Sequence, residues 1–87
     1  MQTLNELRQH ELVILRRLRE HPLTEFELAS EVAEHSGFSA DGAAEHMDGW
    51  LEALKEAGYI WTGRLYNEKG QFIRAAALTK AGRELVR

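Results

Sequence analysis

The chain of 87 residues contains no cysteine and a single proline. The missing thiols exclude disulfides, thiolate-held zinc and cysteine nucleophiles in one step. They also agree with a cytoplasmic location, which is the expectation. No apolar run approaches the roughly 20 residues needed to span a bilayer. The opening MQTLNELRQHE is polar and mixed in charge, unlike a signal peptide. No membrane partner is expected. A glycine-rich phosphate loop is absent, so nucleotide hydrolysis has no support. His10, His21, His35 and His46 stand far apart without ligand spacing, so neither metal nor cofactor is expected. Repeats, linkers and low-complexity tracts are absent too. One domain over residues 1–87 can bury a modest core, but not a core plus an enclosed substrate cavity. These gaps point to a binding module and away from an enzyme.

Cations are also missing, but only from part of the chain. Between Glu20 and Leu54 there are nine acidic residues and no lysine or arginine. From Lys55 to Arg87 seven basic residues face three acidic ones. The formal net charge of −3 hides this sorting.

What is present is mostly helical pattern. Leu4, Leu7, Ile14, Leu15 and Leu18 predict a first helix from about Thr3 to Glu20, ended by His21-Pro22. Pro22-Leu23 reads as a short extended connector. Thr24-Glu25-Phe26-Glu27 has the capping-box form and opens a second helix to about His35, with Phe26, Ala29, Val32 and Ala33 inward. Gly37 suits the left-handed residue after it, and Ser39 caps a third helix, Ala40 to Ala57. Phe38 would plug the turn between the two helices. Gly58 stops the third helix. Two strand-like arms, Tyr59 to Tyr66 and Gln71 to Leu78, flank the turn cluster Asn67-Glu68-Lys69-Gly70, and Thr79 caps a short last helix.

Three stretches resemble the winged helix-turn-helix superfamily, particularly small regulators of the MarR and PadR kind. Leu51-Glu52-Ala53-Leu54-Lys55-Glu56-Ala57-Gly58-Tyr59-Ile60 is similar to the end of that family's recognition helix. Leu78-Thr79-Lys80-Ala81-Gly82-Arg83-Glu84-Leu85 resembles the step out of the wing, and Leu23 to Ala29 the start of the helix before the turn. The resemblance implies a mainly α fold: three helices, an antiparallel β-hairpin wing and a short C-terminal helix. It further implies that the third helix enters a major groove and that the wing touches the DNA backbone or minor groove.

The residues support those roles unequally. At about 100° per residue, Ala40, Ala43, Ala44, Met47, Trp50, Leu51 and Leu54 share the core side of the third helix. Asp41, Glu45, Asp48, Glu52 and Glu56 stack on another side, within roughly 80° of one another. Polyanions are held by cations, so this stripe opposes a duplex. It is a solvated face, a protein-binding face (Asp41, Glu45, Asp48 and Glu52) or, least readily, a base-reading one. Gly42, His46, Gly49 and Ala53 form a strip of mostly small side chains beside it. Arg64, Lys69 and Arg74, with Asn67 and Gln71, give the wing a phosphate-binding character. Arg16, Arg17 and Arg19 form a second basic cluster, while Ser39 and His46 are the better candidates near a groove. The expected function is a DNA-binding transcriptional regulator acting on double-stranded DNA as a homodimer; Leu4, Leu7, Leu85 and Val86 either form its seam or complete the monomer core. The alternative is a protein-interaction module whose acidic third helix binds a basic partner or imitates nucleic acid. Trp50 and Trp61 are expected in core and wing-base packing.

Overall fold

A computed structural model describes residues 7–87. The elements run α1 (Gln9–Leu18), β1 (Leu23–Thr24), α2 (Glu25–Ser36), α3 (Ala40–Glu56), β2 (Ile60–Tyr66), β3 (Phe72–Leu78) and α4 (Lys80–Leu85). Their arrangement is winged helix-turn-helix: mainly helical, with a small three-stranded antiparallel sheet.

Caps set most of the boundaries. Thr24 and Glu27 form both halves of the capping box, with Glu27 N donating to Thr24 Oγ1 at 3.2 Å and Thr24 N to Glu27 Oε1 at 3.0 Å. Gly37, at φ 76°, ends α2 in the left-handed conformation. Ser39 Oγ accepts from Gly42 N at 3.0 Å and starts α3. The Thr79 hydroxyl accepts from Gly82 N at 3.1 Å and donates to the Gly58 carbonyl at 2.6 Å, tying the start of α4 to the end of α3. The first helix departs from its predicted start. Leu7 lies in a bend and Arg8 is extended, because Glu11 Oε1 accepts from Arg8 N at 3.0 Å and caps the helix there. Thr3 and Leu4 lie outside the described residues.

The core gathers Ile14, Leu15 and Leu18 of α1, Leu28 and Val32 of α2, Met47, Leu51 and Leu54 of α3, and Ile60 and Leu78 of the hairpin. Phe26, predicted inward, is 59% exposed. Leu28, two residues on, fills the core instead, and a shift of two residues turns a helix by about 200°. Ala33 is half-buried, and Ala40 and Ala44 are exposed rather than core. Phe38 is a partial plug: its ring meets Trp50 edge-on at 5.1 Å between centroids, while His10 stacks on Trp50 at 4.3 Å. Half-buried Trp50 thus ties α1, the turn and α3 together. Trp61 is 68% exposed and does not pack at the wing base. Leu7 and Val86 are buried in the core and Leu85 packs against it, so of the two expectations for these three residues the monomer core holds.

The sheet order is β1-β3-β2. Leu23 pairs with Ala76, and the hairpin runs in register from Ile60↔Leu78 to Tyr66↔Phe72. Residues directly opposite share a face. One face carries Ile60, Ala76 and Leu78 into the core and turns Arg64 and Arg74 toward α3. The other carries Trp61, Gly63, Leu65, Ile73, Ala75 and Ala77. Among the described residues, no helix is long and apolar enough to cross a membrane.

Candidate nucleic-acid interface

The amphipathic pattern of α3 buries Ala43, Met47, Leu51 and Leu54 and leaves its acids outward. Asp41, Glu45, Asp48, Glu52 and Glu56 are all exposed. The hairpin packs beside this helix and places one cation on it. Arg74 Nη2 donates to Glu52 Oε2 at 2.6 Å, and Nη1 to Asp48 Oδ1. Lys55 Nζ stands 3.9 Å from Glu52. The hydrogen bond to Glu52 raises the Arg74 pKa above its ordinary value; burial opposes this and Asp48 adds to it. A wing residue predicted to meet DNA and two helix residues predicted to meet a protein therefore join in one ion cluster. It lines a groove of about 430 Å³ between α3 and the hairpin, together with Lys55, Arg64 and Phe72.

The remaining candidates are spread over α3 and the hairpin and, Arg64 apart, do not converge on this cluster. Ser39 is exposed at the α3 N-cap, its hydroxyl engaged by Gly42 N. His46 is exposed, and its ring tilts over Trp50 with centroids 5.6 Å apart. The Arg64 guanidinium carbon sits 5.0 Å from the Phe72 ring centroid. At the wing tip, Asn67 Oδ1 accepts from Lys69 N at 2.9 Å and Gln71 N at 3.0 Å, and Asn67 Nδ2 donates to Gln71 Oε1 at 2.9 Å. Asn67 and Gln71 thus shape the turn that presents exposed Lys69. Asp41 and Glu45, nearer the start of α3, belong to no ion pair among the described residues.

The α1 cluster is mostly committed elsewhere. Arg17 Nε lies 2.8 Å from Glu31 Oε2 and its Nη2 2.8 Å from His35 Nε2, while Arg19 Nη1 donates to the Val86 carbonyl at 3.0 Å. Arg16 is exposed. Glu31, Glu34 and His35 bring potential ligand atoms within 4.8 Å of one another, but the Arg17 guanidinium already supplies the positive charge there. What sequence reasoning missed is the Arg74 strut. The only trace of it in the sequence is the charge sorting itself, which shows that acids and bases must meet but not which ones.

No family model matches the chain, nor does any curated protein. A solved structure from Thermoplasma acidophilum, described as a "putative transcriptional regulator", superposes with a TM-score of 0.76 at 27% identity. The match covers 88% of this chain and 72% of that one. This chain is a distant structural homologue of that protein.

Proposed function

We propose that the chain is a winged-helix transcriptional regulator, akin to the MarR and PadR kind, that binds double-stranded DNA as a cytoplasmic homodimer. The observation that carries this reading is the helix-turn-helix and wing arrangement, shared over 88% of the chain with a protein described as a regulator. The ion cluster supports it. Arg74 and Lys55 answer Asp48 and Glu52 within the chain, so the middle of α3 opposes phosphate less than its sequence suggests. Arg74, with 15% of its side chain exposed, then acts as a strut that sets the wing against α3. Phosphate contacts fall to Arg64, Lys69 and Arg16. Ser39 and His46 take the contacts to the DNA major groove in this reading, and Asn67 and Gln71 hold the wing tip in shape. Glu45 is compatible with cytosine, whose N4 donates to a carboxylate.

Three phosphate-binding cations per copy, six per homodimer, give a slope of log affinity against log salt of roughly −5. The test is fluorescence anisotropy of a mixed-sequence duplex at low salt, repeated with added salt. Binding with that slope is the expected result; no binding by ~50 µM protein at low salt overturns the reading.

A second reading is favoured by one observation: Asp41 and Glu45 lie exposed without an ion partner among the described residues. In it, the acidic start of α3 binds a basic protein partner. Asp41→Asn with Glu45→Gln separates the two. The change strengthens duplex binding if α3 faces DNA, and weakens capture of a basic peptide, with DNA binding still absent, if α3 faces protein.

A further inference from the structure

The outer edge and the α3-distal face of the wing have no role in the DNA reading, and their chemistry fits a second copy of the same chain. β2 is an edge strand of seven residues with one charge, Arg64, and no proline. Edges of this length are normally blunted by charge, proline, a bulge or a covering element. Thr79 N donates to the Tyr59 carbonyl and Asn67 N to the Gln71 carbonyl, so the odd-numbered residues of this arm carry the bonds to β3. The N–H and C=O groups of Ile60, Thr62, Arg64 and Tyr66 therefore point outward along the open edge.

The face beside that edge is uncharged: Trp61, Gly63 and Leu65 on β2, with Ile73, Ala75 and Ala77 opposite. Trp61 is 68% and Leu65 54% exposed. Gly63 divides them, and a Cβ built there meets nothing within 4 Å. Glycine weakens a strand interior and commonly marks the close approach of a ligand or another backbone. Among the described residues, nothing approaches the notch at Gly63.

We infer that two copies pair β2 to β2, antiparallel, about a two-fold axis at Gly63. This specifies the surface for the homodimer in the proposed function and does not depend on DNA binding. Three observations select the register. Centring on Gly63 engages the whole of Ile60–Tyr66 and makes hydrogen-bonded pairs of the outward-pointing residues, Thr62 with Arg64 of the second copy and Ile60 with Tyr66. It places Trp61 against Leu65 of the second copy in a close non-hydrogen-bonded pair, over the space both glycines leave. Centring on Arg64 would set two like charges directly opposite, and centring on Thr62 would shorten the overlap. Arg64 and Arg74 stay on the α3 side, away from the apolar seam.

Trp61, Leu65, Ile73 and the two alanines offer on the order of 400–500 Å² per copy. Joined, that is roughly 800–1,000 Å², below the ~1,200 Å² at which standard stable interfaces begin. The dimer is therefore weak and concentration-dependent. Sedimentation velocity on the whole chain up to ~1 mM should show a reversible monomer–dimer equilibrium. Gly63→Cys, in a chain without other thiols, should yield a disulfide-linked dimer under mild oxidation, since opposed non-bonded positions lie about 4.5 Å apart. Ala77→Cys, on the same face but further from the axis, should not. Gly63→Glu should abolish the dimer without lowering the monomer's melting temperature. Thr62→Pro, which deletes an outward N–H, should weaken it at least ~10-fold. A dimer that Gly63→Glu leaves intact and Gly63→Cys cannot link refutes this surface while sparing the homodimer. A chain that stays monomeric throughout refutes both, whatever the duplex titration shows.

Discussion

Removing Arg74 tests whether the wing is held to α3 by charge. Its side chain is 15% exposed, whereas those of Asp48 and Glu52 are 82% and 48% exposed. Solvent reaches the carboxylates, so each contact contributes about 0.5–1 kcal/mol, not the several of a dry pair. The two contacts sum to roughly 1–2 kcal/mol, a fall in Tm of about 5–10 °C for a domain of this size, and loss of the packed aliphatic stem adds to it. Thermal melts by circular dichroism should show that loss for Arg74→Ala. Arg74→Met keeps the stem and removes the charge, so it should retain part of the stability. The gap between Arg74→Met and the parent should narrow in ~1 M salt, where charges are screened within about 3 Å. A double-mutant cycle with Glu52→Gln should give a coupling of about 0.5 kcal/mol or more. If Arg74→Met melts with the parent at every salt concentration and the coupling is zero, the strut contributes nothing and the wing is held by packing alone.

Gly82→Ala should destabilise the fold by about 3 kcal/mol, read from the urea midpoint, because its Cβ would lie 2.1 Å from the Tyr59 carbonyl oxygen. A gain of ~1 kcal/mol, as for an ordinary helical glycine, would contradict that close approach. Thr79→Ala loses a cap and the bond to the Gly58 carbonyl together, and urea unfolding should register about 1–2 kcal/mol; an unchanged midpoint would show that neither bond matters. Burial lowers the His10 pKa from 6.5, with Arg8 and His46 adding to the shift and Glu11 opposing it. The unfolded chain then takes up the proton first, so stability is full above pH 6.5 and falls as the pH drops toward the lowered folded value. His10→Phe should flatten that part of the profile in urea unfolding at about pH 7.5 and 5.5; an unchanged slope would assign it to other groups.

The fold was legible because its boundaries are written locally. Thr24, Ser39 and Thr79 each act through a residue three positions away, and Gly37 and Gly58 through their own left-handed backbone, all within reach of a sequence pattern. Burial was less legible where a residue sits at the margin of a helical stripe. Phe26 and Leu28 are equally apolar, and only the angle at which α2 meets α1 and α3 decides between them. Alanine gives no signal either way, which is why Ala40 and Ala44 could be placed on the core side of α3 yet lie exposed. The candidate site was legible in its members and not in its pairing. Arg74 meets Asp48 and Glu52 across 26 and 22 residues, a distance set by how the hairpin folds back on α3. β1 was visible as an extended connector, but its pairing with Ala75 and Ala76 of β3 depends on the same fold-back.

Duplex DNA lying across α3 and the wing would leave a footprint, and amide shift mapping in an NMR titration at low salt reads it. Shifts should concentrate at Ser39, His46, Arg64 and Lys69, and fade together as salt is added. Absent shifts, or shifts confined to the far side of the helices, would show that this winged helix does not read a duplex through those elements.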